Sequence, residues 1–447
     1  MQRYLICSLF LFLNLYSVEA QTGFQFPKDS PKKVCVDFQM IHNLIVIPLV
    51  VNGKEVSFIL DTGVDKTILF NFLQNDSIPL QDVQKTTLKG LGSGLAVSAL
   101  ISKNNHLSLQ GISSKQETVY VLLKDSFDIS GKMGVTIHGV IGYNLLKSVV
   151  LKIDYNKQQV TFYNPKTYTF PTCKKCEVFP LEMHRKKPYI NVVVQLDTLG
   201  KQQTPVKLLV DIGGSDALWL FENSKNIIQT PQKYFKDILG EGLSGTVYGN
   251  RSRIPSLTLG RFNIPKPTVS FLDTTSTFHA RVFKARNGSL GGAVLKRFDV
   301  WIDYRHKKMM LKKTSSLKKP FYYNMSGLAF VYNGKKLVRD SKVVQATGSF
   351  GARDQHGADQ LMSFVTNYSY RFEQAYKIGA VVSESPAGLS GVLKGDELIR
   401  INGVQVEKYT LGELNALMQV GPNRRIKLLI LRKGKRMRFQ FRLQKRI

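Results

Sequence analysis

Two aspartates, Asp61 and Asp211, close two copies of one short phrase set 150 residues apart. The first copy is Phe58-Ile59-Leu60-Asp61-Thr62-Gly63 and the second is Leu208-Leu209-Val210-Asp211-Ile212-Gly213. Each apolar run reads as a buried strand. A carboxylate at the end of such a strand is unfavourable unless another group requires it there. Two carboxylates within hydrogen-bond reach cannot both ionise easily, so they share one proton and titrate as a unit. The charged member can polarise a water while the protonated member donates to a carbonyl oxygen. That is chemistry for the attack of water on an amide, and it calls for no metal and no cofactor. Gly63 and Gly213 let the chain turn sharply and bring backbone N–H groups near the carboxylates. A hydroxyl at the middle position, as in Thr62, can cross-link the two loops, whereas Ile212 offers none.

The elements that must position these carboxylates are themselves repeated. Gly90-Leu91-Gly92 lies 29 residues after Asp61, and Gly240-Glu241-Gly242 lies 29 after Asp211. Leu107-Ser108-Leu109 matches Leu257-Thr258-Leu259. Ile141-Gly142 and the residues after it match Leu290-Gly291 and its followers, and Val150–Tyr155 matches Asp299–Tyr304. Blocks in one order at nearly constant offset point to two duplicated lobes. A pseudo-twofold axis between them would bring Asp61 and Asp211 together. Asp154 and Asp303, each followed by Tyr, read as structural turn residues. Leu44–Leu60 reads as a hairpin turning at Asn52-Gly53.

Composition bounds the setting. Residues 1–20 read as a secretory signal peptide: Met1-Gln2-Arg3, an apolar stretch from Tyr4 to Leu15, and Val18-Glu19-Ala20 before the cut. An exported protein, periplasmic or extracellular, is expected, with no transmembrane segment after the signal is removed. Cys35, Cys173 and Cys176 remain, and a structural disulfide between the lobes is expected over a metal or redox site, with the pairing open. Net charge is +31, from 63 Lys and Arg against 32 Asp and Glu. Residues 414–447 hold eleven of the basic residues and no acid. Their apolar–basic alternation reads as strands with charges facing water, giving weak, salt-sensitive polyanion contact and not a dedicated nucleic-acid site.

These residues resemble the aspartic peptidases of retropepsin and pepsin type, as two fused lobes. Asp61-Thr62-Gly63-Val64-Asp65 is similar to the active-site motif of retroviral-type members. The Ile141-Gly142 and Leu290-Gly291 blocks resemble the family's apolar-apolar-Gly segment behind each aspartate. The resemblance implies a bilobal β-fold, a cleft between lobes 21–170 and 171–316, and an endopeptidase using Asp61 and Asp211. Thr62, Gly63, Gly213 and Ser215 are then the loop supports. Gly90, Gly92, Gly240 and Gly242 fall where flap-like hairpins would lie. The second motif departs from the family pattern at Ile212, and no flap tyrosine of the pepsin type is evident.

Residues 317–447 resemble a bacterial PDZ domain, through Ser385-Pro386-Ala387-Gly388-Leu389, Gly391–Ile399 and Ile401-Asn402-Gly403. The whole chain is therefore expected to be mainly β: a bilobal aspartic-peptidase-like fold followed by an α+β PDZ domain. Gly327, Leu328, Ala329 and Phe330 match the loop that captures a peptide C-terminus through backbone N–H groups. The groove is expected between the strand after Phe330 and a helix at 411–420. Residues 335–372 read as an insertion. The leading reading is a monomeric exported endopeptidase that cleaves protein or peptide substrates, its PDZ module holding substrate or peptide termini. Two other readings stand beside it: a catalytically degraded peptide-binding relative, and a basic polyanion-binding surface protein.

Overall fold

Strands from both copies of the repeat meet in one antiparallel sheet. The computed structural model describes residues 23–27, 32–70, 78–90, 96–123, 129–197, 199, 203–243, 245–346 and 363–447, with side chains omitted at 241, 339–346 and 363–367. The signal segment expected at 1–20 and the flap residue Gly92 lie outside the described residues. The shared sheet has six strands in the order Lys33–Asp37, Gln159–Tyr163, Val150–Asp154, Phe298–Asp303, Lys308–Lys313 and Cys176–Pro180. Three come from each lobe. At its centre Val150 pairs with Asp303 and Ile153 with Val300. The repeated blocks thus lie against each other across the pseudo-twofold axis. Asp154 and Asp303 close the turns beside them, their Oδ1 atoms accepting from Lys157 and His306 N–H at 3.0 Å each.

Each lobe adds its own sheet. In the N-lobe, Leu44–Val51 and Lys54–Leu60 form the hairpin read from the sequence. Asn52 and Gly53 turn it at φ 47° and 85°, the pair of positive values that a tight two-residue hairpin requires. Lys54–Leu60 then runs parallel to Gly139–Ile141. In the C-lobe, Gln203–Asp211 runs parallel to Gly288–Gly291 in the same way. Strand ends from both lobes therefore point their aspartates at one place. Inward-facing residues of the two lobes and the shared sheet, from Phe58 and Leu60 to Leu208, Val210 and Val300, form one continuous core. Burying each such side chain contributes roughly 1.5–3 kcal/mol.

Between the two lobes, Cys176–Pro180 joins the shared sheet. The disulfide there is Cys173–Cys176, with Cα atoms 5.4 Å apart. It closes a tight local loop and does not tie the lobes together, and Cys35 is free and exposed.

The C-terminal unit has its own core around Leu328, Tyr376, Leu398, Leu414, Leu428 and Ile430. Its sheet runs Leu328–Ala346, Ser363–Val381, Glu397–Ile401, Arg425–Arg432 and Lys435–Arg442. The basic tail is thus a paired strand, Arg425 opposite Arg442. Of the expected insertion at 335–372, residues 347–362 lie outside the described residues. The first two strands simply continue outward as an antiparallel ribbon, from Leu328 opposite Val381 to Ala346 opposite Ser363. The alternating Val, Phe and Tyr of that stretch favour the extended backbone. Among the described residues no helix is long and apolar enough to cross a membrane.

Candidate active site

The ends of Lys54–Leu60 and Gln203–Asp211 bring the Asp61 and Asp211 carboxyls together, so close that a Cβ on Gly63 would lie 3.0 Å from Asp61 Oδ1 and 3.2 Å from Asp211 Oδ1. The glycines after them make this approach feasible. A Cβ on Gly213 would stand 2.1 Å from Asp61 Cγ, so only glycine fits. Gly63 N–H donates to Asp61 Oδ1 at 2.6 Å. Each carboxyl keeps one exposed side toward the cleft and is walled by protein elsewhere. Burial is the main cause that pushes both carboxyls above their usual range. The Asp61 charge raises Asp211 further, while Arg286 and Lys187 pull it back. Asp61 is pulled back by the Gly63 N–H, then Lys187 and the Gly213 N–H. One proton held between two buried carboxyls is the arrangement needed to activate a water and polarise a carbonyl together.

Thr62 ties the two loops. Its Oγ1 donates to Val210 O at 2.6 Å and accepts from Ile212 N–H at 3.0 Å. Both Thr62 and Ile212 are wholly buried. Ile212 packs into the common core. Ser215 does not join the cleft. Its carbonyl accepts from Asn43 Nδ2 at 2.8 Å, behind the loop. Asp216, the next residue, supports this loop instead, and the sequence reading did not include it. It receives Trp219 Nε1 at 2.7 Å, Ser270 Oγ at 3.0 Å and Arg251 Nη1 at 3.0 Å. Arg251 is held in turn by Asp237 at 2.6 Å.

The cleft over the aspartates has a volume of about 660 Å³. Gly90 and Gly242 both line it, with Leu243. A Cβ on Gly90 would fall 2.7 Å from Leu243 Cβ, so the hairpins of the two lobes touch above the cleft. Gly240 sits at a bulge in its hairpin, away from the cleft. Among the cleft residues the sequence did not single out are Lys187, Tyr189 and Arg286. They lie outside the repeated blocks, and only the excess of basic residues hinted at them.

In the C-terminal unit, Gly327, Leu328 and Ala329 line a second cavity of about 630 Å³, shared with both lobes, while Phe330 is buried in the local core. The loop amides already have partners. Gly327 N–H donates to Asn324 Oδ1 at 3.2 Å and Leu328 N–H to Ser326 Oγ at 3.0 Å. The expected helix is Leu411–Leu417, opened by a capping box of Thr410 and Glu413. The N-lobe stands against this unit. The helix Ile129–Met133 packs on the strand Leu328–Ala346, Gly134 meets Leu411, and Asn415 Nδ2 lies 3.2 Å from His42 Nε2.

Comparison with known proteins finds two domains. Residues 47–145 match the family model described as aspartyl protease, and residues 377–432 match a PDZ domain model. The chain therefore carries an aspartyl-protease domain and a PDZ domain on a mainly β fold. Among solved structures, it is similar to an aspartic proteinase from Irpex lacteus at 12% identity and a TM-score of 0.43. That match covers 64% of this chain and 99% of the other. No curated protein sequence matches.

Proposed function

We propose that the protein is an exported aspartic endopeptidase in which Asp61 and Asp211 activate one water between them. The observation that carries this reading is the close approach of the two carboxyls, one from each lobe, in the interlobe cleft. The ionised carboxyl draws a proton from the water as it attacks the peptide carbonyl, and the protonated carboxyl donates to the carbonyl oxygen. The first carboxyl then passes its proton to the leaving amine as the C–N bond breaks, and a hydroxyl of the tetrahedral intermediate returns its proton to the second carboxylate as the C=O re-forms, so the pair ends with the one proton it began with. Thr62 and the two glycines hold the carboxyls in place, and the hairpins around Gly90 and Gly242 close over the substrate. The PDZ unit presents or holds peptide, the protein works as a monomer, and the basic surface adds weak contact with polyanions.

The missing hydroxyl at Ile212 favours one second reading, a peptide-binding relative with degraded turnover. Purified protein incubated with a peptide library from acidic to neutral pH, with and without chelator, separates the two. The proposal expects chelator-insensitive cleavage at internal bonds. Binding without cleavage at every pH would favour the second reading.

A further inference from the structure

The two lobes present different chemistry at equivalent positions. Ile59 pairs with Val46 in the N-lobe, and its counterpart Leu209 pairs with Tyr189 in the C-lobe. Two residues back along each strand, Leu44 corresponds to Lys187. The turn partners of those two residues are Ile41 and His184. Phe58 aligns with Gly139, and Leu208 with Gly288, so Ile137 corresponds to Arg286. In the N-lobe, Ile41, Leu44 and Ile137 belong to one apolar cluster. In the C-lobe, His184, Lys187 and Arg286 line the cleft. The fold itself does not require these cations, because its own duplicate does without them.

Lys187 and Arg286 feel the cleft carboxylates but are in no ion pair among the described residues. Arg286 is 5% exposed. Its Nε donates to Gly288 O at 3.1 Å and its Nη2 to Ser289 Oγ at 2.7 Å, with Tyr189 beside it. Among the described residues it has no carboxylate within ion-pair distance, and the Lys187 ammonium has no hydrogen-bond or ion-pair partner. His184 stacks on Phe283 at 4.0 Å, and its Nε2 is buried without a partner. Five Lys or Arg side chains line the cleft against three Asp, two of which are the paired Asp61 and Asp211. Buried charge without a partner is unfavourable, and an arriving anion relieves it.

Resting on the peptidase reading above, we infer that Lys187 and Arg286 form a cationic subsite beside the aspartate pair. It takes a carboxylate of the peptide, an Asp or Glu side chain next to the bond cleaved. Matched peptides carrying Glu, Gln or Lys at each position around a cleaved bond, with both ends blocked, test this. Cleavage is read as kcat/KM, and binding to the Asp61→Asn protein is read by fluorescence anisotropy. At one position Glu is expected to exceed Gln at least tenfold in either readout. In Lys187→Glu the order should reverse, with the Lys peptide ahead. Glu and Gln within threefold at every position would overturn the subsite, as would an unchanged preference in folded Lys187→Glu. A preference seen only when the C-terminus is left free would overturn the side-chain source and assign the carboxylate to the chain end. Cleavage without charge preference sinks the subsite and leaves the peptidase reading. Lys187-dependent, charge-selective binding without any cleavage does the reverse.

Discussion

The N-lobe loop Asp61-Thr62-Gly63 and the C-lobe loop Asp211-Ile212-Gly213 do the same job with unequal means. Thr62 makes both cross-lobe hydrogen bonds, and Ile212 makes none from its side chain. The asymmetry continues behind the loops. Tyr304 OH donates to Thr62 O at 3.4 Å, while its counterpart Tyr155 has a buried hydroxyl without a partner. At the middle position of the two loops, one side of the axis supplies directed hydrogen bonds and the other apolar packing, while Asp216 ties the C-lobe loop from behind. Placing two carboxyls face to face therefore requires one well-anchored loop and a neighbour that packs against it, not strict symmetry.

Thr62→Val breaks this comparison most severely. It leaves Val210 C=O and Ile212 N–H buried without partners, which costs about 2–3 kcal/mol. Activity should fall on the order of tenfold or more, and urea melts together with kcat measure both effects. A neutral Thr62→Val would show that apolar packing alone holds both loops.

Asp211→Asn should raise stability while it abolishes turnover. Burial and the Asp61 charge lift the Asp211 pKa in the folded state. An acid so lifted stabilises the fold fully below its unfolded pKa, and that contribution is lost as pH rises through the folded value. The amide does not titrate, so its advantage should appear near neutral pH and vanish in strong acid. For a unit of this size each kcal/mol gained should raise Tm by about 1–2 °C. Melting curves across pH would refute this if the variant lost stability at neutral pH.

Lys187→Met bears on the C-lobe side alone. Lys187 lowers the pKa of both aspartates. Removing it should move the alkaline limb of the kcat/KM profile to higher pH. An unmoved limb, or one displaced toward acid, would mean that the lysine does not act on the pair.

The smallest expected effect is that of Ile212→Thr. Lost apolar burial and a regained hydroxyl should nearly cancel, leaving stability within about 1 kcal/mol and activity within about threefold. A tenfold gain in kcat would mark Ile212 as a defect, not as the packed half of an asymmetric grip.

How much of this could be read in the sequence follows from where the duplication is retained. The paired aspartates, the glycines behind them and the central Val150–Tyr155 and Asp299–Tyr304 blocks all recur at nearly fixed offset, and each places a strand end or a turn. The Asn52-Gly53 hairpin was equally plain, because its turn chemistry is local. Lys187, Tyr189 and Arg286 were not legible. Their counterparts Leu44, Val46 and Ile137 are apolar, and loops of different length shift the register between the lobes. Asp216 escaped for another reason: its role depends on Arg251, 35 residues away and joined only by the fold. Within the stretch 335–372, the strand pairing of 335–346 with 363–372 was not legible, because polar residues and glycine masked the strand pattern.

The central claim, that Asp61 and Asp211 act as one proton-sharing unit, is tested most directly by comparing Asp61→Asn, Asp211→Asn and the double variant in one cleavage assay. Groups that act as a unit are not additive. Each single variant should lose roughly a thousandfold or more of kcat/KM, and the double should lose no more than either. A single variant that keeps activity within about tenfold of the wild type, or single losses that multiply in the double, would contradict the account.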